Sequence, residues 1–329
     1  MEVFKRLKIE GDNGLWSFIF LFLILSPSVS LCQQLTLVEL NCENLFDTRH
    51  DDGKEDTEFM PEGERHWTRT KYWGKVNRIG QEILSCSDDL PDLVALVEVE
   101  NDSVLKDLTR RSLLRNAGYQ YLMTESGDVR GLDIALLYQP FRFRPICYEA
   151  LKVEQVKNMR PTRDILYVQG LYASGDTLHV FVVHSPSRYG GEIETRPYRL
   201  QVVKALQQAI KAISDDGKIM VLGDFNDYAD SPSLKRLYEL ELQNVTANIK
   251  GRNGTPANYR YQGEWHSLDH VLVSPSLSQK VDTAYINDAP FLLEEETVYG
   301  GKRPRRSFHG FRFQQGFSDH LPLVVRFTL

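Results

Sequence analysis

Short apolar runs recur along this chain, and each is closed by small or polar residues. Leu35 to Asn41 alternates in part and predicts a strand, and the wholly apolar Leu93–Val97 predicts a buried one. Further strands are predicted at Tyr119–Thr124, Leu132–Tyr138, Phe143–Leu151, Ile165–Tyr172, Leu178–Val183, Lys218–Leu222, Leu268–Val273 and Leu321–Phe327. Helical spacing appears at Tyr72, Val76, Ile79 and Ile83, within Thr68–Cys86. Asp102-Ser103 can cap a helix that runs to Asn116. Thr195–Ile213 predicts a long helix with Pro197 in its first turn, and Ser231-Pro232-Ser233 starts a short one. Strands follow one another directly in the middle, while helices flank the early and late strands. That order favours two packed sheets with helices outside over one doubly wound sheet. Thr48–Trp67 and Asn287–Phe317 carry no regular pattern, and loops of that length in a compact domain are usually functional or mobile.

Composition changes this picture at one end only. The 329 residues, 42% hydrophobic and 26% charged, suit a globular chain with a sizeable core. A net charge of −6 argues against nonspecific coating of nucleic acid, but leaves room for a nuclease whose metal supplies positive charge locally. At the N-terminus Lys5, Arg6 and Lys8 precede the apolar run Leu15–Leu25, which Ser26-Pro27-Ser28-Val29-Ser30 breaks. This predicts a signal peptide over residues 1–32, cleaved after Ser30 or Cys32, ahead of one domain over 33–329. The run is short for a membrane span, so the mature chain is expected outside the cytoplasm without one. Leu31 is a poor neighbour for a lipidated Cys32. The cysteines Cys32, Cys42, Cys86 and Cys147 are scattered, form no Cys-x-x-Cys and are read as small buried residues.

Polar residues capable of metal or proton chemistry stand repeatedly at strand ends. Asn41 and Glu43 follow Leu35–Leu40, Glu98 follows Leu93–Val97, and His184 follows Val180–Val183. Asp224 and Asn226 follow Ile219–Leu222, and Asp319-His320 immediately precede Leu321–Phe327. One polar strand end is an ordinary solvated cap. Five of these types would converge if the sheets bring those ends together.

The ordered set resembles the endonuclease/exonuclease/phosphatase superfamily, the deoxyribonuclease I-like fold, in its exported bacterial variety. The matching stretches are Leu40-Asn41-Cys42-Glu43-Asn44-Leu45-Phe46, Val94–Val99, His184-Ser185-Pro186-Ser187-Arg188, Gly223-Asp224-Phe225-Asn226-Asp227, Ser267-Leu268-Asp269-His270-Val271 and Ser318-Asp319-His320. The resemblance spans Leu35 to Leu329 and implies an α+β, four-layer α/β/β/α sandwich. It further implies hydrolysis of a phosphate ester by in-line attack of water. Such chemistry needs a hard cation, a base, and stabilisation of the developing charge.

By this resemblance Glu98 and Asn41, with Asp319 assisting, would hold Mg²⁺ or Mn²⁺, which favour oxygen ligands. His320 would be the general base, with Asp269 as its orienting partner. His184 would contact the phosphate or protonate the leaving group, with Asp133 as candidate orienting acid. Asp224 would position the nucleophile or metal, and Asn226 would donate to a non-bridging oxygen. Arg163 and Arg130 are the phosphate-contacting arginines, the planar fork of Arg163 suiting a phosphate. Lys302, Arg303, Arg305 and Arg306 form a basic run that could grip a polyanion, although such a run is usually a solvated face. Tyr259–Trp265 could stack a base or sugar. The expected protein is a monomeric, exported, metal-dependent nuclease. A phosphatase or phosphodiesterase for a small-molecule or lipid phosphate, and a non-catalytic binder on the same fold, stand as alternatives.

Overall fold

The structure, a computed structural model, describes residues 33–329 except position 215. The predicted signal peptide, with Cys32, lies outside the described residues. Two six-stranded sheets form the frame. The first contains β1 (Gln34–Leu45), β2 (Leu93–Val99), β3 (Gln120–Met123), β4 (Asp133–Tyr138), β13 (Val281–Ile286) and β18 (Leu323–Thr328), in the order β13-β18-β1-β2-β4-β3. The second contains β5 (Phe143–Leu151), β6 (Ile165–Tyr172), β7 (Thr177–His184), β8 (Lys218–Asp224), β9 (Gln243–Asn244) and β12 (Asp269–Val273), in the order β5-β6-β7-β8-β12-β9.

Strand alternation divides the apolar side chains among three cores. Leu35, Leu37, Ala95 and Val97 meet Leu166, Val180, Met220 and Val271 between the sheets. Val38, Leu40, Val94 and Leu96 point the other way and pack on Val76, Ile79 and Ile83 of the helix Arg69–Leu84. On the second sheet Phe181, Val183 and Val221 face Val202, Val203 and Leu206 of the helix Glu192–Ile210. Side chains with period two on strands bury both faces only when each face is covered. The result is the four-layer α/β/β/α sandwich implied by the motifs.

Local departures from the expected elements have local causes. The helix after Asn101 ends at Arg110, and a 3-10 turn Leu113–Asn116 follows because Ser112 Oγ accepts from Leu114 N at 3.0 Å. The long helix starts earlier than predicted, at Glu192 after Gly191, which puts Pro197 inside it. Cys42 and Cys86 are buried, but Cys147 is exposed on the edge strand β5, contrary to the buried reading. The unpatterned stretch Asn287–Phe317 holds two small hairpins, β14 (Leu293–Glu295) with β15 (Lys302–Pro304) and β16 (Phe308–His309) with β17 (Arg312–Phe313). A third pairs β10 (Tyr259–Tyr261) with β11 (Glu264–His266). Among the described residues no helix is long and apolar enough to cross a membrane.

Candidate active site

Strand register assembles the site. In the second sheet β7 runs parallel to β8 with His184 opposite Asp224, and β12 runs antiparallel to β8 with Asp269 opposite Asp224. Three functional side chains therefore stand in one row across three strands. Gly223 makes the row possible, since a Cβ there would lie 1.9 Å from the carbonyl oxygen of Val183. The first sheet supplies Asn41 from β1, whose Nδ2 donates across the sandwich to Asp224 Oδ2 at 3.2 Å.

The strand ends around this row are bent. The ladder between β1 and β2 shifts register between Asn41 and Leu45. Glu43, Asn44, Glu98 and Asn226 all adopt positive φ, at 48°, 59°, 62° and 50°. Non-glycine residues occupy that region at a cost, and such residues cluster at functional sites. Here the bends re-aim side chains. Asn44 N donates to Glu98 Oε2 at 2.8 Å, and Asn226 N donates to Asp224 Oδ1 at 2.7 Å. Asn226 Nδ2 is spent on the carbonyl of Ser185 at 3.0 Å.

His320 and His184 enter from opposite sheets. His320 Nδ1 bonds Asp269 Oδ2 at 2.6 Å, as the motif pairing implied. Asp269 also accepts from Asn258 Nδ2. Tyr259 packs its ring 4.6 Å from the imidazole, and Leu321 N donates to Asn258 O at 2.7 Å. Ser318 Oγ completes the support by donating to Asn41 O at 2.6 Å and accepting from His320 N at 3.1 Å. Burial alone would lower the His320 pKa, but Asp269, then Asp224 and Asp319, outweigh it and hold the ring well above the ordinary imidazole value.

His184 is shifted the other way. Burial, with Arg163, Arg130 and His320 nearby, pushes it well below the ordinary value. Its Nε2 lies 3.7 Å from Glu98 Oε1 and 3.8 Å from Asp224 Oδ2, and its Nδ1 is buried without a hydrogen-bond partner. Asp133 is not its orienting acid. That carboxylate accepts from Thr124 Oγ1 at 2.6 Å and Ser126 N at 3.0 Å, closing the turn before β4.

The oxygen donors fit a hard cation. Glu98, Asn41 and Asp319 offer carboxylate and amide oxygens beside a surplus of buried acid. Burial and the neighbouring Asp269 push Asp224 up to about 8. Glu39, on β1 beneath them, is buried with both carboxyl oxygens unpartnered and is raised well above its usual value, first by burial and then by Asp269 and Asp224. Asp224, Asp269 and His320 also bring one ligand atom each within 4.8 Å of one another. Asp269 and His320 already spend such atoms on each other, while Asn41 Oδ1 accepts from Glu43 N at 2.8 Å, Glu98 Oε2 from Asn44 N and Asp319 Oδ2 from Arg306.

The arginines are more committed than expected. Arg163 is buried, donating to Asp128 Oδ2 at 3.0 Å and to the Ser185 carbonyl at 3.1 Å. Arg130 reaches an amide oxygen, Asn44 Oδ1, at 3.4 Å. In the basic run, Arg306 bonds Asp319 Oδ2 at 2.9 Å and Glu43 Oε1 at 3.4 Å, while Arg303 is held by Glu294 and Glu296. Half of that run is therefore neutralised by carboxylates and is not a free polyanion surface. Asn258, Tyr259, Asp128 and Arg306 hold catalytic candidates in place, yet none sits in a strand-end motif. In the sequence Tyr259 stands out only as an aromatic.

Glu98, His184, Asp224, Asn226, Asp319 and His320 line a cavity of about 590 Å³, which also takes in Asn158, Arg160, Tyr189 and Tyr198. Its size is that of a small-ligand site.

Residues 36–328 match the endonuclease/exonuclease/phosphatase family. No curated protein matches the chain. Among solved structures, a mannosyl-6-phosphatase of Bacteroides thetaiotaomicron VPI-5482 is similar, with 16% identity, a TM-score of 0.61, and coverage of 88% of this chain and 98% of that one. The human Nocturnin catalytic domain with bound sulfate is similar at 18% identity and TM-score 0.56, covering 89% and 93%. D. rerio TDP2 complexed with single strand DNA product is similar at 15% identity and TM-score 0.55, covering 90% and 100%.

Proposed function

The chain belongs to the endonuclease/exonuclease/phosphatase family, and on that premise we propose that it is a metal-dependent hydrolase of phosphate esters. The observation that carries this reading is the row His184, Asp224 and Asp269 facing Asn41 across the sandwich. A phosphate set against that row would meet an amide, an imidazole and an acid–base couple at once. His320, oriented by Asp269, exchanges a proton with the attacking water. Asp224, bonded by Asn41 and by the Asn226 backbone, holds that water in line. Neutral His184 can donate one hydrogen bond to a phosphate oxygen. Glu98, Asn41 and Asp319 are the residues that would hold the metal. A divalent cation there would supply positive charge against the phosphate.

A compact phosphate ester is better supported than a polynucleotide. The site is a small-ligand cavity, and Arg303 and Arg306, which a nucleic-acid backbone would need, are bound to carboxylates. The mannosyl-6-phosphatase relative acts on such a compound. The nuclease reading keeps one support, Lys302 and Arg305, which have no carboxylate partner among the described residues. We also propose that the enzyme works after export, on the strength of the basic and apolar leader alone. Sequencing the N-terminus of the mature protein checks that.

The test of function is a panel on the purified mature protein, with and without Mg²⁺. It would compare a sugar phosphate, an aryl monoester, an aryl diester and plasmid DNA. Chelation should abolish turnover, and the monoesters should outrun plasmid. Full turnover by chelated, dialysed enzyme would sink the metal reading, and salt-sensitive cleavage of plasmid as the fastest reaction would restore the nuclease.

A further inference from the structure

Away from the reacting centre, the cavity has a second wall, built from the segment around Asn158–Pro161 and the turn Pro186–Tyr189. We propose that this wall is a leaving-group subsite for an uncharged, hydroxyl-bearing ring such as a pyranose, with Tyr189 as its stacking platform. The inference rests on the phosphoesterase reading and specifies its substrate class.

Charge accounting comes first. The cavity is lined by the carboxylates Glu98, Asp224 and Asp319 at the reacting centre, and by Asp128, which Arg163 already pairs at 3.0 Å. Its cations beyond the histidines are Arg130, Arg160 and Arg163. Arg160 donates to both oxygens of Glu55 at 2.7 Å, and Arg163 is taken by Asp128. Arg130, which touches Asn44, therefore remains for the reacting phosphate. Among the lining residues the far wall has no uncommitted charge to greet a second phosphate, and Arg188, which belongs to the turn but not to the lining, lies over the Tyr228 ring at 4.3 Å. A polynucleotide carries one on each side of the reacting bond, and a sugar monoester carries none.

The wall is also shaped for a ring. Tyr198 Oη donates to the carbonyl of Asn158 at 3.1 Å, and Arg160 ties the same segment to Glu55. Asn158 itself takes a positive φ of 66°. The segment is thus fixed at several points, and Asn158 is among the residues that line the cavity. The same cavity is lined by Tyr189, which is 93% exposed. No hydrogen bond or ring contact engages its side chain among the described residues. A large exposed aromatic at a cavity rim is a ready surface for the apolar face of a sugar, while amides satisfy hydroxyls.

The test uses the mature enzyme with Mg²⁺ and the variants Tyr189→Ala and Tyr189→Phe. Their substrates are a hexose 6-phosphate, glycerol 1-phosphate, and a 5′-phosphorylated dinucleotide. Tyr189→Ala should lose about tenfold in kcat/KM on the hexose phosphate, mainly through KM, as for one stacking contact. It should change little on acyclic glycerol phosphate, and Tyr189→Phe should restore the ring substrate. An equal loss on both esters, no loss on either, or a wild-type preference for the dinucleotide overturns the subsite. Calorimetric binding of the hexose phosphate separates the two levels of the argument. Binding weakened by Tyr189→Ala in a protein that turns over no ester keeps the subsite and removes the hydrolase reading. Binding insensitive to that change removes the subsite.

Discussion

The two imidazoles of the site sit a few ångströms from the same carboxylate and are held in opposite ways. His320 has a carboxylate partner, a tilted tyrosine ring against it and a backbone clamped by Ser318. His184 has a strand position, two carboxylates at 3.7 and 3.8 Å, and an empty Nδ1. The first is pinned and held toward its charged form by acids, whereas the second is held neutral by burial and arginines. The contrast teaches that residue type does not assign a role. One ring is built to exchange a proton in a fixed direction, and the other offers a neutral donor whose orientation comes from its strand alone.

Substitutions can break this contrast, and the largest effect belongs to the pinned side. His320→Ala and Asp269→Ala should each lower kcat by about three decades, within the range for a general acid–base couple. Combining them should cost little more than either alone, because the pair acts as a unit. A double variant much worse than the singles would separate the two residues. Next comes Glu98→Gln, expected to lose about two decades and to need more Mg²⁺ for half-maximal rate, since one ligand charge is gone while the shape stays. Unchanged metal dependence would remove Glu98 from the metal set.

His184→Ala should cost about two decades. If the ring is a neutral donor, His184→Gln should recover part of that loss, and an Ala variant at wild-type rate would take His184 out of the mechanism. The smallest effect asks whether an unpartnered buried group implies function at all. Glu82, on the helix Arg69–Leu84 and outside the cavity lining, also has unpartnered buried oxygens. Burial raises it to about 8 from an ordinary 4.5. A carboxyl raised on folding stabilises below its unfolded value and loses that contribution as pH climbs toward the folded one. Glu82→Gln should therefore melt higher than wild type at pH 8, with the gap closing toward pH 5 and activity unchanged. A gap that widens at low pH would contradict the burial argument.

Much of the fold was legible because its rules are local. Apolar alternation in Leu35–Asn41 and the helical spacing of Tyr72 to Ile83 reflect which faces are covered. The catalytic candidates were legible for a related reason: strands end where the core ends, so Glu98, His184 and Asp224 had to reach the rim together. Their supporting residues were hidden because they come from irregular segments. Nothing near Asn258 marks it as the donor to Asp269, a strand away. Arg306 reads as one member of a charge run because Glu43 and Asp319, which neutralise it, arrive from elsewhere in the chain. Asp133 was misplaced for the same reason, since its closeness to a strand end said nothing of Thr124 and Ser126 beside it.

The bond from Asn41 to Asp224 has a consequence for assembly. Asn41 belongs to one sheet and Asp224 to the other, and Ser318 anchors the His320 segment to Asn41 through its carbonyl. Neither sheet alone owns a working centre, because each carries about half of the groups. Turnover is therefore a gauge of docking between two halves of the molecule. During refolding, the first catalytic event can occur only after both layers have met in register, and strand formation by itself leaves the enzyme silent.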